Sequence, residues 1–200
     1  MPYLPPEQYL EIERKEEWKN EYYQGRMLPM PLPGLAHCQI VGSVGCLLSQ
    51  QLLDRPCQAY MSALRLLVPA MGFYTYPDVT VVSGKAKFQD ESYDDTLLNP
   101  TVIVEVFTKS SEAYDRDTKF RLYRSLESLA EYLLISSLEI GAERFTRQPD
   151  GQWLLTSKDR LDDPIDLKPV DCQLRLADLY ERVAFAEPII TGRVASVAGP

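Results

Sequence analysis

Apolar residues recur every three or four positions in one long stretch of the N-terminal half of the chain. Between residues 36 and 53 they include Ile40, Val44 and Leu48, a spacing that places them on one face of an α-helix. A second helix is predicted over residues 7–18, because prolines and acidic residues at its start are typical of a first helical turn.

Shorter apolar segments, separated by turn residues, predict β-strands. They cover residues 64–68, 76–82, 101–107, 132–135, 142–147, 152–156 and about 174–176. Residues 21–30 predict two short strands around a tight turn. Residues 101–107 form an almost continuous apolar, β-branched run, which is typical of a strand that is buried on both faces.

Helices are also predicted after the buried strand and near the end of the chain. The first begins at Ser111 or Asp115 and ends at Leu126, and the second covers residues 177–183. This order of elements predicts an α/β or α+β fold with one mixed sheet flanked by helices. We expect one domain over residues 1–183 and a loosely held tail over residues 184–200.

Composition and charge narrow the function only slightly. The 200 residues suit one domain with a real core. A net charge of −8 argues against an unselective nucleic-acid coat protein, which would be basic. It does not exclude a nuclease, since a carboxylate site is itself acidic. No apolar run of about 18 residues predicts a membrane span, and without a signal-peptide pattern the expected location is the cytoplasm.

The four cysteines are Cys38, Cys46, Cys57 and Cys172. None forms a Cys-x-x-Cys pair, and the single histidine, His37, is adjacent to Cys38. Two adjacent ligands do not make a zinc site. These residues are interpreted as reduced thiols.

Two carboxylates stand out from their surroundings. Glu105 lies inside the apolar run Val102–Phe107, where a charge is costly unless it binds a metal, pairs with a base such as Arg65 or Arg121, or lies at an exposed strand end. Asp78 follows Pro77 near the start of another strand, a position that is also common for a simple turn residue.

The two carboxylates together carry more information than either alone. If their strands are neighbours, Asp78 and Glu105 come within about 5 Å of each other and repel unless a cation lies between them. Oxygen ligands of this kind suit Mg²⁺ or Mn²⁺. A basic residue that positions or activates water and stabilises charge on a phosphate normally completes such a site. Lys119, on the helix after the strand of Glu105, is the candidate, and Lys109 is its rival; either could instead be a solvated surface charge.

Several spaced segments together resemble a known bacterial family. The matching segments are Asn99–Val106, Ser110–Arg116, Lys119–Arg124, Tyr76–Val79, His37 before the long helix, and Gln148–Trp153. They resemble the Uma-two family, which is assigned to the PD-(D/E)XK nuclease superfamily. The resemblance spans roughly residues 3 to 183, and it implies a restriction-endonuclease-like domain that hydrolyses phosphodiesters with metal-activated water.

The resemblance assigns roles to individual residues. It implies that Asp78 supplies the "PD" aspartate and Glu105 the "(D/E)" carboxylate. Phe107 occupies the usual lysine position, and the resemblance moves that role to Lys119. It also implies a further acidic residue, Glu21, near the site.

The remaining expectations concern the cleft, the cofactor and the partners. Tyr123 and Gln39 are weaker candidates for lining the cleft. The resemblance implies Mg²⁺ or Mn²⁺ as cofactor and nucleic acid, with DNA the expected form, as partner. A homodimer is expected because cutting two strands with one site each needs two copies.

Three hypotheses follow for the function. The first is an active endonuclease, in which Asp78, Glu105 and Lys119 converge. The second is an inactive nuclease-like fold that acts as a binding or interaction module, which the acidic net charge favours. The third is a structural or toxin–antitoxin-like partner whose tyrosines form a dimer surface, which a large exposed apolar patch away from the cleft would support.

Overall fold

A computed structural model describes residues 3–185 of the chain. Its helices are α1 (Pro6–Glu13), α2 (Leu35–Gln51), α3 (Phe120–Tyr123) and α4 (Leu176–Tyr180), and a π-helical segment over Tyr114–Lys119 leads directly into α3. The tail expected over 184–200 lies outside the described residues from residue 186 onward. No helix in the described part is both long and apolar enough to cross a membrane.

The strands are numbered in chain order. They are β1 (Asn20–Tyr23), β2 (Arg26–Pro29), β3 (Cys57–Met61), β4 (Arg65–Val68), β5 (Phe73–Thr75), β6 (Val79–Ser83), β7 (Thr96–Leu97), β8 (Val102–Phe107), β9 (Glu131–Ser136), β10 (Ala142–Arg147), β11 (Trp153–Lys158), β12 (Pro164–Leu167) and β13 (Cys172–Arg175). The predicted strands are confirmed within a few residues, but β3, β5, β7 and β12 were not predicted.

The larger sheet has six strands in the order β11-β10-β9-β8-β6-β3. β8 and β9 are parallel, and the other neighbours are antiparallel. A parallel pair needs a crossover connection, which the π-helical segment and α3 provide. Every residue of β8 is buried, which confirms the prediction of a strand covered on both faces.

The predicted α+β fold with a central mixed sheet is confirmed, and the structure adds a second sheet that was not predicted. This sheet has five strands in the order β2-β1-β5-β4-β7, and β12 and β13 form a separate hairpin. The five-stranded sheet is assembled from short strands, and β1 joins β5 through the single residue pair Tyr22↔Tyr74. Pairing of segments so far apart in the chain leaves no local periodicity that could predict it.

Alternation along β8 sends its side chains into two different cores. Val104 and its even-numbered neighbours pack toward α2, whose Ile40, Val44 and Leu48 are fully buried there. Ile103 belongs to the opposite core, which also includes residues of β4, β5 and α3. Glu105 therefore points to the side of the sheet where the π-helical segment and the five-stranded sheet lie.

The first helix is shorter than the sequence predicts. It ends at Glu13 rather than at Trp18, because residues 14–17 are all charged and give the helix no apolar face to bury. The Glu13 carboxylate instead accepts a hydrogen bond of 2.8 Å from the backbone N–H of Asn20. This bond connects α1 to β1, and Trp18 is left 62% exposed.

Glu131, at the start of β9, is a buried carboxylate outside the candidate site. It is fully buried, its Oε2 has no hydrogen-bond partner within residues 3–185, and the Thr146 hydroxyl is 3.5 Å from Oε1. Burial raises the pKa of Glu131 to about 7, although the charge of Arg144 opposes the shift. The folded protein therefore holds this proton more tightly than the unfolded chain.

Because the folded-state pKa is the higher one, Glu131 makes the fold less stable as the pH rises from about 4.5 to about 7. Across this pH range the wild type is expected to lose up to about 3 kcal/mol in its free energy of unfolding. Glu131→Gln should not show this loss, because glutamine does not titrate. Urea unfolding at pH 5 and pH 8 measures it, with the exposed Glu139→Gln as control. If the free energy of unfolding changed equally with pH in the wild type and in Glu131→Gln, Glu131 would not be the source of the pH dependence.

Candidate active site

Asp78 and Glu105 face each other across two neighbouring strands. β6 and β8 pair antiparallel with Val79 opposite Val104, so the same register continued by one residue places Asp78 opposite Glu105. Side chains at opposed positions project from the same face of a sheet. The adjacency that the sequence could only suppose is therefore present.

Two contacts hold one oxygen of the Asp78 carboxylate. The backbone N–H of Val106 donates to Oδ2 at 2.7 Å, and Nε2 of His37 lies 3.2 Å from the same oxygen. Ser62 binds the backbone carbonyl of Asp78 through its own N–H at 2.9 Å. The first two contacts fix the carboxylate through Oδ2, and the Ser62 bond fixes the backbone of Asp78.

Glu105 is held in a similar one-sided way. Lys119 Nζ donates to Oε1 at 3.0 Å, and the Tyr123 hydroxyl donates to the same oxygen at 2.7 Å. Burial raises the pKa of Glu105 to about 8, against the opposing charge of Lys119. Neither bond uses Oε2.

Lys119 is the centre of a buried network of charges. Besides Glu105, its ammonium lies 3.3 Å from Asp115 Oδ1 and 3.5 Å from Glu21 Oε1. Burial alone would lower the pKa of Lys119, but the negative charges of these three carboxylates outweigh it and hold the pKa well above its usual value. Lys119 therefore stays protonated, and three carboxylates share one ammonium.

Glu21 is oriented by contacts from two further elements. Thr75 donates its hydroxyl to Oε1 at 2.5 Å, and the Tyr114 hydroxyl donates to Oε2 at 2.7 Å. Glu21 comes from β1 and Thr75 from β5, so the five-stranded sheet supplies this side of the network. Glu21 and Lys119 are thus brought together from opposite parts of the chain.

The π-helical segment explains how one helix contributes several groups. Over Tyr114–Lys119 the backbone winds more widely than an α-helix, a feature that is frequent at functional sites. Asp115 and Lys119 are four residues apart and both point into the network. Asp115 is buried, and in the described part of the chain its Oδ1 makes the ion pair with Lys119 but no hydrogen bond.

These side chains form the floor of a cleft of about 590 Å³. The lining includes the four carboxylates and Lys119, with His37 and Tyr114 beside them. The lining also includes an apolar group, called here the apolar wall, that consists of Trp18, Met30, Pro31, Leu32 and Pro33. The charged residues Glu17 and Lys19 flank Trp18 in the lining. The cleft therefore combines a charged floor with an apolar wall.

The other sequence candidates are placed less centrally. Tyr123 lies behind Glu105 as a buried hydrogen-bond donor and not at the cleft surface. Lys109 is exposed in the loop after β8, and only Lys119 reaches the carboxylates. Gln39 donates to the backbone carbonyl of Arg182 at 2.9 Å and is not among the cleft-lining residues.

Sequence reasoning missed three residues of this site. Asp115 was treated only as a possible helix start, although its spacing of four residues from Lys119 was a usable signal. His37 was noted only as part of the family resemblance, and its contact with Asp78 depends on how α2 packs. Tyr114 lies in the segment Ser110–Arg116 that resembles the family, but nothing in the sequence gives it a role in the site.

A divalent cation fits the donor set of this site. Within residues 3–185 no three His, Cys, Asp or Glu side chains are arranged as a ready-made metal cage. Mg²⁺ does not require one, since it is commonly bound by one or two carboxylates together with water and substrate phosphate. Asp78 and Glu105 could hold it, and its charge would offset the surplus of carboxylates around Lys119.

Comparison with known proteins identifies the family of the chain. The sequence profile of the Uma2 family, described as "Putative restriction endonuclease", matches residues 6–177. The chain belongs to the Uma2 family. This is the Uma-two family whose resemblance was noted in the sequence.

Two relatives come from Synechocystis sp. The uncharacterized protein slr1290 is 31% identical, with 92% of this chain and 95% of the relative covered. The uncharacterized protein sll1609 is 33% identical, with 76% of this chain and 86% of the relative covered. Neither name states an activity.

A solved structure shares the fold. It is described as a putative nuclease belonging to DUF820 from Anabaena variabilis, and it superposes with a TM-score of 0.74 at 17% sequence identity. The match covers 90% of this chain and 99% of the other. At this identity the similarity establishes the α+β nuclease-like fold, and the chemistry is argued from the site itself.

Proposed function

We propose that this protein is a metal-dependent endonuclease that hydrolyses phosphodiester bonds in DNA. The observation that carries the proposal is the opposition of Asp78 and Glu105 on the floor of the cleft, with Lys119 3.0 Å from Glu105. Membership in a family described as restriction endonucleases supports the same reaction. Mg²⁺ is the expected cation, with Mn²⁺ as a substitute, because the donors are carboxylate oxygens.

Each residue of the floor has a distinct part in this proposal. Asp78 and Glu105 would hold the cation, which when bound activates water and offsets the charge of the phosphate. The hydrogen bond from the Val106 N–H and the contact with His37 Nε2 keep the Asp78 carboxylate oriented. Similarly, Tyr123 and Lys119 keep Glu105 oriented.

Lys119 acts as a cation and not as a base. Its three carboxylate neighbours keep it protonated, so it cannot take a proton from water. As a cleft-lining ammonium it stabilises negative charge that grows on the phosphate during hydrolysis.

Metal titration and DNA cleavage test this function on the same preparation. We expect calorimetry to detect Mg²⁺ or Mn²⁺ binding. We also expect cleavage of DNA, supplied both as plasmid and as a single-stranded oligonucleotide, and this cleavage should stop when the metal is chelated. Asp78→Asn, purified identically, controls for contaminating nucleases. A wild-type protein that neither binds metal nor cleaves DNA would instead be an interaction module on a nuclease-like fold.

A further inference from the structure

The apolar wall of the cleft has no role in the chemistry described so far. Trp18 is 62% exposed and Leu32 is 75% exposed, although both line the cleft that contains the carboxylates. The segment from Pro29 to Pro33 alternates prolines with Met30 and Leu32. Prolines limit the motion of this segment, so the wall is a fixed apolar surface next to the charged floor.

The charges that line the cleft do not favour binding of a DNA duplex. Duplex binding depends mainly on Lys and Arg side chains that neutralise several phosphates. The described lining contains two such cations, Lys19 and Lys119, against five acidic residues. Lys119 is surrounded by carboxylates, and Lys19 donates to the backbone carbonyl of Ser62.

We propose that the apolar wall binds an unpaired nucleobase, with Trp18 as the stacking surface, and that the substrate is therefore single-stranded or locally unpaired DNA. This inference rests on the proposed nuclease function. In a duplex each base face is covered by its neighbours, so an aromatic side chain can stack only on a base that has left the helix. Stacking provides affinity without phosphate contacts, which matches the acidic character of this cleft.

The size and layout of the cleft agree with this occupant. Its volume of about 590 Å³ lies within the range of about 300–1,000 Å³ that is usual for small-ligand sites, which suits a nucleotide and not a duplex. A nucleotide carries a charged phosphate next to a flat apolar base. The cleft carries the matching surfaces, a metal-binding floor beside an apolar wall.

The second tryptophan shows why Trp18 is assigned this role. Trp153 packs edge-on against Phe120 with ring centroids 5.4 Å apart, and the Arg147 guanidinium lies 4.9 Å from its ring. Within the described residues Trp18 has no aromatic partner of this kind. An unpaired strand also needs only one active site, so the homodimer expected for cutting two strands is not required.

Tryptophan fluorescence can test the stacking directly. In a Trp153→Phe background Trp18 is the single tryptophan, and stacking on a base is expected to quench it. The titration uses a single-stranded DNA oligonucleotide and its duplex form, with chelator present so that no cleavage occurs. We expect quenching by the single strand and little quenching by the duplex.

Binding of labelled oligonucleotides then measures the contribution of Trp18. Trp18→Ala is expected to weaken single-strand binding by about 5- to 100-fold, while Trp18→Phe retains most of it. Tyr93→Ala removes an exposed aromatic outside the cleft and serves as the matched control. Equal binding of both DNA forms, or no effect of Trp18→Ala, would overturn the inference.

The outcomes separate this inference from the proposed function. Metal-dependent cleavage of duplex DNA that is indifferent to Trp18→Ala would leave the nuclease function standing and overturn the stacking role. Quenching by single-stranded DNA without cleavage, after metal is added, would support the base-binding wall and overturn the hydrolytic function.

Discussion

Replacing Lys119 with methionine is expected to abolish DNA cleavage and to lower the free energy of unfolding by about 3–5 kcal/mol. Lys119 is buried and its ammonium lies within 3.5 Å of Glu105, Asp115 and Glu21. Methionine fills much of the same volume but supplies no positive charge. Three buried carboxylates would then repel each other without compensation.

The rival lysine provides the control for this substitution. Lys109 is exposed, so Lys109→Met is expected to change stability by less than about 0.5 kcal/mol and to leave cleavage intact. Chemical unfolding and cleavage of plasmid and single-stranded DNA measure both variants. If Lys109→Met were the inactive variant and Lys119→Met the active one, the assignment of the catalytic lysine would be reversed.

A double variant separates loss of charge from loss of packing. Glu105→Gln combined with Lys119→Met removes one of the buried carboxylates that have lost their cationic partner. The double variant should therefore be more stable than Lys119→Met alone. If the double variant were less stable than both single variants, the destabilisation would come from packing and not from unpaired charge.

Glu105→Gln is expected to reduce cleavage on the order of 1,000-fold, because a metal ligand contributes several kcal/mol to the transition state. Metal affinity should fall by at least about 100-fold, since even outer partners of a metal site cost 10–100-fold when they are replaced. The fold should persist. Glutamine has the shape of glutamate, its amide oxygen can accept the Tyr123 bond, and Lys119 keeps two other carboxylate partners.

Calorimetric metal titration and initial cleavage rates measure this effect, and circular dichroism checks the fold. Glu139→Gln changes an exposed glutamate outside the cleft and should behave as wild type. If Glu105→Gln retained wild-type metal affinity and cleavage, Glu105 would be a structural partner of Lys119 and the metal would bind elsewhere.

The sequence by itself determined the central strands, the long helix and the two acidic residues that stand out in or next to those strands. The run Val102–Phe107 is so apolar that it predicts a strand buried on both faces. The Glu105 carboxylate within it therefore needs a partner that offsets the cost of burying its charge. The spacing of Ile40, Val44 and Leu48 likewise determined α2. These predictions succeeded because they depend on local periodicity, which the chain carries in every segment.

Only the tertiary structure decided which groups surround the buried Glu105 carboxylate. Sheet register brings Asp78 opposite Glu105, and the π-helical segment brings Lys119 and Asp115 to them. Glu21 arrives from a second sheet that no local pattern predicted, because its strands are short and pair across long stretches of chain. The wall that contains Trp18 likewise depends on where a proline-rich loop packs. Contacts between distant segments are set by packing of the whole domain, and local periodicity contains no record of them.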